Sequence, residues 1–262
     1  MSFSNNDTIK KLEQLLPKSI HNQSVPKEVL IIIDEYIPKL NNKNIHQTVQ
    51  EYLCNNGNIK QQVINNYGLI NNWDVSQVTD MNCLFAHIYH FNEDISGWDV
   101  SNVTDMDSMF HGAESFNQPL NDWNVSNVTN MHAMFCGCAK SFNQPLNSWN
   151  VSKVTDMSHM FSNTKYFNQP LNDWNVSQVT KMDYMFFGTS LFNQPLNNWN
   201  VSNVTNMESM FGQTESFNQP LDNWNVSNVT NMDLIFMDAR SFNMQKNAPW
   251  YIAMAWAWYI ED

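Results

Sequence analysis

Basic side chains are scarce in this chain. Arg240 is the only arginine among 262 residues, and 13 basic residues stand against 25 acidic ones, a net charge of -12. A surface that tracks phosphates needs clustered Lys and Arg, so this balance excludes nucleic acid as principal partner and repels an anionic membrane. Glycine is scarce as well. Seven residues leave little for phosphate-cradling loops, and no GxSxG, HExxH or P-loop pattern occurs. The four cysteines, Cys54, Cys83, Cys136 and Cys138, are too few and too irregular for a disulfide framework. Cys136 and Cys138 stand two apart, neither a zinc knuckle nor a redox pair, which predicts reduced thiols. No stretch approaches the roughly 20 apolar residues that span a bilayer. The opening "MSFSNNDTIKKLEQLLPKSI" has no signal-type apolar run and no small-residue cleavage site, so a cytoplasmic location is expected.

Asn, by contrast, makes up about one residue in six, in a chain whose 42% apolar content is enough for a core. Much of it recurs on a fixed period. Trp falls at 73, 98, 123, 149, 174, 199 and 224, every 25 residues except for one step of 26. The extra residue lies in "FCGCAKSF" (135 to 142), which marks a loop. Counting each Trp as zero, Val recurs at +2 and +5, Ser at +3, Thr at +6, Met at +8 and Phe at +12. A second Phe followed by Asn closes each copy. Such a period predicts a solenoid, each repeat burying its face only against its neighbours.

The offsets predict an α/β coil with one short strand and one short helix. Met at +8, Met at +11 and Phe at +12, as in Met106, Met109 and Phe110, have the i, i+3, i+4 spacing of a helix capped by Ser or Thr upstream. "FNQPLNNWNV" reads as the strand-bearing face, with a recurrent Pro that limits strand length. Trp73, Trp98, Trp123, Trp149, Trp174, Trp199 and Trp224 form the expected structural ladder. Asn92, Asn117, Asn143, Asn168, Asn193, Asn218 and Asn243 form a second, each amide donating to one neighbour coil and accepting from the other.

"FNEDISGWDVSNVTDMDSMF" (91 to 110) resembles the BspA-like leucine-rich repeat of bacterial surface proteins and large DNA viruses. The resemblance covers about 69 to 245. It implies a right-handed leucine-rich-repeat-like solenoid, protein binding and no enzymatic activity. The absent secretion signal departs from the surface role.

Residues 1 to 68 read as a helical region and 246 to 262 as an apolar cap over the last coil. "DTIKKLEQLL", "VPKEVLIIIDEYIPKL", "NIHQTVQEYL" and "NIKQQVINNYG" are the predicted helices, the last stopped by Gly68. In the second, Val25, Pro26, Glu28, Val29, Leu30, Ile33, Tyr36 and Ile37 resemble the opening of an F-box. Val25 replaces the usual Leu, and Asp34 a usual apolar residue. The resemblance implies that Pro26, Val29, Leu30 and Ile33 dock the linker subunit of a cullin-type ubiquitin ligase. A plain amphipathic cap fits the same pattern, so both readings stand.

No cofactor is expected. His87, His90, His111, His132 and His159 occupy unrelated offsets, which predicts no converging metal site. Asp80, Asp105, Asp107, Asp156, Asp183, Glu208 and Asp233 at +7 and +9 read as a solvated acidic edge. Nine Asn-x-Ser/Thr sequons in the repeats follow from the consensus, given the expected location. The residues after the first Phe differ freely between copies. They are the candidate contacts for a protein partner: His87, Tyr89, His111, Glu114, Lys140, Lys165, Tyr166, Phe187 and Glu215. The expected function is a non-enzymatic binding scaffold. A ubiquitin-ligase substrate receptor and a surface adhesin are the alternatives.

Overall fold

The computed structural model describes residues 39–138 and 142–252. Among these residues two helices precede the repeats, α1 (Ile45–Leu53) and α2 (Gly57–Tyr67), with a 3-10 turn at Ile70–Asn72. Asn56 caps α2 by accepting from the N–H groups of Asn58 and Ile59, and Gly68 ends it at φ 78°. A single-turn helix, α3 (Met244–Asn247), follows the repeats.

The repeats overturn the expected strand and helix. Among the described residues from Trp73 to Phe242 there is no strand and no helix. Each coil is built of turns, and coil pairs form single parallel bridges at +7, such as Asp105 to Asn130 and Asn130 to Asp156. The reason lies in two backbone positions per coil. Residue +10 (Cys83, Ser108, Ala133, His159, Tyr184, Ser209, Leu234) has φ between 49° and 58°. Residue +14 (His87, Gly112, Gly137, Asn163, Gly188, Gln213, Asp238) is left-handed too. A left-handed residue every fourth position breaks a right-handed helix into consecutive turns.

Those turns divide the hydrogen bonds by parity. The N–H groups at +11, +13 and +15 bond three residues back in their own coil, as Met160 to Met157 and Ser162 to His159 do. Those at +8, +10, +12 and +14 donate to the next coil, as Met131 to Asp156, Ala133 to Ser158, Phe135 to Met160 and Gly137 to Ser162 do. Between them the two sets satisfy the even-numbered donors of this run in every coil that has a following coil, and the odd-numbered ones within each coil from +11 on. The side chains at +8, +11, +12 and +15 still turn inward, so the apolar spacing of a helix is met by a different backbone.

Packing follows the period. Every Trp of the row is buried, and from Trp98 on its Nε1 donates to a carbonyl about 28 residues back, as Trp149 does to Leu120 at 2.8 Å, while that of Trp73 donates to Gly68 at the end of α2. Two Phe columns run the length of the stack. Phe135 and Phe161 lie 5.7 Å apart between coils, and Phe135 and Phe142 lie 4.1 Å apart within one. Phe142 also stacks on Phe116 at 6.0 Å, so the register is kept on both sides of the 26-residue step. Trp250 takes the next place in the row, stacked on Trp224 at 6.5 Å with Nε1 on the Leu221 carbonyl. At the other end Tyr52 of α1 meets Trp73 edge-on at 5.3 Å, and Ile45 and Val49 are fully buried beside it. Asn42 closes the first rung, accepting from the N–H of Thr79 and donating to its hydroxyl.

The Asn residues divide into distinct tasks. The row after the second Phe accepts rather than passing amides along: the side-chain oxygen of Asn143 takes the N–H of Asn168 at 2.9 Å and the Gln169 amide at 3.1 Å. Asn at +1 and +7 holds turns, as when Asn124 accepts from the N–H of Ser126 and Asn130 from that of His132. Asn at +4 donates to a Ser carbonyl one coil back, as Asn127 does to Ser101.

Candidate functional site

The variable residues sit on the outer side of this ladder. His87, Tyr89, Lys165, Tyr166 and Glu215 are exposed, and His111, Glu114 and Phe187 are half-buried. Lys140 and the F-box-like Pro26, Val29, Leu30 and Ile33 lie outside the described residues. Tyr89 is 52% exposed, and Tyr166 (45%) stands beside Leu191 (44%) of the next coil, joined by the Leu191 N–H to the Lys165 carbonyl. His87, Tyr89, His90 and Glu93 also line an open groove of about 670 Å³ with Leu53 of α1.

A second set of residues comes together that the offsets concealed. His87 and His111 lie with ring centroids 4.9 Å apart, because the ribbon places +14 of one coil against +13 of the next. His132 meets His159 edge-on at 5.7 Å, and His159 stacks on Tyr184 at 4.7 Å and 3°. Four histidines therefore occupy one side of the stack although their offsets are unrelated. Carboxylates interleave with them. His132 Nδ1 is 3.0 Å from an Asp107 oxygen, His159 Nε2 is 3.9 Å from Asp183, and the Tyr184 hydroxyl donates to Glu208 at 2.6 Å. Glu208 also accepts from the Asn231 amide at 3.0 Å. The signal in the sequence is the non-consensus residue at +9 and +10, read as pairs on neighbouring coils.

The charges in this strip are tuned by burial and by one another. Burial holds the His159 imidazole below its ordinary value, opposed by Asp183. Burial and then the neighbouring His87, His132 and His159 do the same to His111. Burial raises Asp183, and the hydrogen bond to Glu208 raises the Tyr184 phenol. Burial works against ionised Asp156, but hydrogen bonds from Ser158 and Lys181 outweigh it and hold the carboxyl low. Among the described residues no group of three or more His, Cys, Asp or Glu is placed to hold a metal ion. Cys54, Cys83, Cys136 and Cys138 are free thiols, and burial pushes Cys138 far up. Its thiol donates to the Phe110 carbonyl as Thr164, in the same place one coil on, does to Phe135.

No helix among the described residues is long and apolar enough to cross a membrane. No curated protein and no solved structure matches the chain. A family model does, in two overlapping stretches, residues 52–173 and 138–250, which together take in the end of α1, α2 and the whole repeat array. The chain thus belongs to the repeat family described as "Mycoplasma protein of unknown function, DUF285".

Proposed function

We propose that the chain is a non-enzymatic scaffold that binds a protein partner through the individually written outer positions of its repeats. One observation carries this reading. The invariant residues are occupied in coil-to-coil bonds and core packing, while those that differ between copies, the buried +15 position apart, are mainly exposed or half-buried in register. The likeness to BspA-like repeats supports protein binding as well. The test replaces the five residues after the first Phe, six in the coil at 136 to 141, with the chain's own 212 to 216 segment in every coil, which keeps the left-handed place and the buried Thr214. The scaffold reading expects unchanged melting and loss of the protein recovered by the full chain as bait. Undiminished recovery overturns it.

The F-box-like segment supports a second reading, a substrate receptor of a cullin-type ubiquitin ligase. The observation favouring it is that α1 and α2 cover the first coil, with Tyr52 and Tyr67 against Trp73. That covering task therefore does not fall to residues 25 to 37 alone. Leu30→Asp separates the cases: lost linker binding with normal melting supports docking, whereas a several-kcal/mol loss of stability, on the order of an unpaired buried charge, supports a cap.

A further inference from the structure

The two left-handed positions of each coil are filled by different rules. At +14 the chain uses Gly in three coils, Asn163 and Asp238 in two, and His87 and Gln213 in the other two. At +10 it uses no Gly, Asn or Asp, and in two adjacent coils it uses large rings, His159 and Tyr184. The fold does not require them, because Ser108 and Ser209 hold the same place in other coils. The two rings are thus a choice the coil leaves open, and they stand stacked on neighbouring coils.

The use is readable from what the rings adjoin. His132, His159 and Tyr184 make a half-buried aromatic run across three coils, edged by the carboxylates of Asp107, Asp183 and Glu208. Among the described residues no lysine or arginine closes an ion pair with those three carboxylates, and the nearby Lys181 is held by Asp156 at 2.9 Å. Carboxylates attract a cationic side chain by ion pairing, and the Tyr184 ring beside them adds its quadrupole. The chain's net charge of -12 draws the same kind of partner to it. Resting on the scaffold reading, the geometry points to the strip Asp107, His132, His159, Asp183, Tyr184 and Glu208 as the docking site for a Lys- or Arg-bearing segment of a partner protein.

The test titrates the full chain into a fluorescent peptide of alternating Lys and Ser, with a Glu and Ser peptide as counterpart, at a pH of about 7.5. The strip binds the cationic peptide and not the acidic one. His159→Ser with Tyr184→Ser weakens binding about tenfold, and so does Asp183→Asn with Glu208→Gln. The control removes the same charge elsewhere: Asp122→Asn with Asp173→Asn, both exposed one residue before a Trp, leaves affinity within about twofold. Equal loss in the control, no binding of the Lys peptide, or preference for the Glu peptide each overturns the docking site. If the Ser variants unfold, the carboxylate pair against its control still decides the matter. A chain that ignores the peptide yet recovers its protein partner through the variable segments overturns this site alone and leaves the scaffold reading standing.

Discussion

The N–H and the hydroxyl of Thr155 both donate to the carbonyl oxygen of Thr129, at 2.9 and 3.2 Å. The pair repeats at Thr104, Thr180, Thr205 and Thr230, each on the Thr one coil before. This is why Thr is kept at +6, where a valine would have the same shape and β-branching. Thr155→Val removes the hydroxyl bond and leaves the backbone one, costing about 0.5–1 kcal/mol at this exposed position. A urea unfolding midpoint equal to the parent's shows the hydroxyl carries nothing.

The Asn row works as an acceptor, and a carboxylate is also an acceptor. Asn168 Oδ1 receives the Asn193 N–H at 2.9 Å and the Gln194 amide at 3.0 Å. Asn168→Asp is therefore tolerated within about 0.5 kcal/mol near neutral pH, while Asn168→Ala costs about 1–2 kcal/mol. Chemical denaturation of the two variants checks the order. Asp and Ala equally damaging would mean that the amide N–H₂ is what matters.

Left-handed backbone at +10 stores strain that glycine releases. Leu234 has φ 56° and a side chain that is largely exposed, so Leu234→Gly gives up little burial. It stabilises the chain by about 0.5–1 kcal/mol. The reverse change at +14, Gly188→Ala, places a methyl 2.5 Å from the Asn163 side-chain oxygen at φ +67° and destabilises by about 1–2 kcal/mol. Calorimetric melting of both variants tests the assignment, which fails if the two shifts share a sign.

Stability carries a histidine-dependent slope. His111 and His159 are held below the ordinary histidine value of 6.5, so the unfolded chain binds more protons than the folded one as pH falls. Their contribution is complete above 6.5 and is lost as pH drops from there through their depressed folded values. His111→Ser with His159→Ser, residues the chain itself uses at those offsets, flattens the melting temperature between about pH 7 and 5. An unchanged slope places the acid sensitivity elsewhere.

The period, the inward rows and helices α1 and α2 were legible because they rest on spacing and capping alone. Gly68 marks the end of α2 as its chemistry requires, while the Asn56 cap at the start lies ahead of the segment the spacing picked out. The coil backbone was not legible, and Met157, Met160, Phe161 and Thr164 show why. All four are buried, so their i, i+3, i+4, i+7 spacing belongs equally to a helix and to tandem turns. His159 carries no mark of its left-handed φ, and only the recurrent Gly at +14 in three coils hinted at one. The histidine strip was hidden for a related reason. Offsets +9, +10, +13 and +14 look unrelated along the chain, yet inter-coil bonds such as that from the His87 N–H to the His111 carbonyl make them neighbours.

The alternation of bonds between and within coils is the core of this account, and scalar coupling across hydrogen bonds by NMR tests it directly. Phe135 N–H donates to the Met160 carbonyl of the next coil at 2.9 Å, whereas Met134 N–H bonds within its own coil to Met131 at 3.3 Å. The account predicts a coupling from the Phe135 nitrogen to the Met160 carbonyl carbon. A coupling from Phe135 to the carbonyl of Met131, four residues back, is what a helix gives and would contradict it.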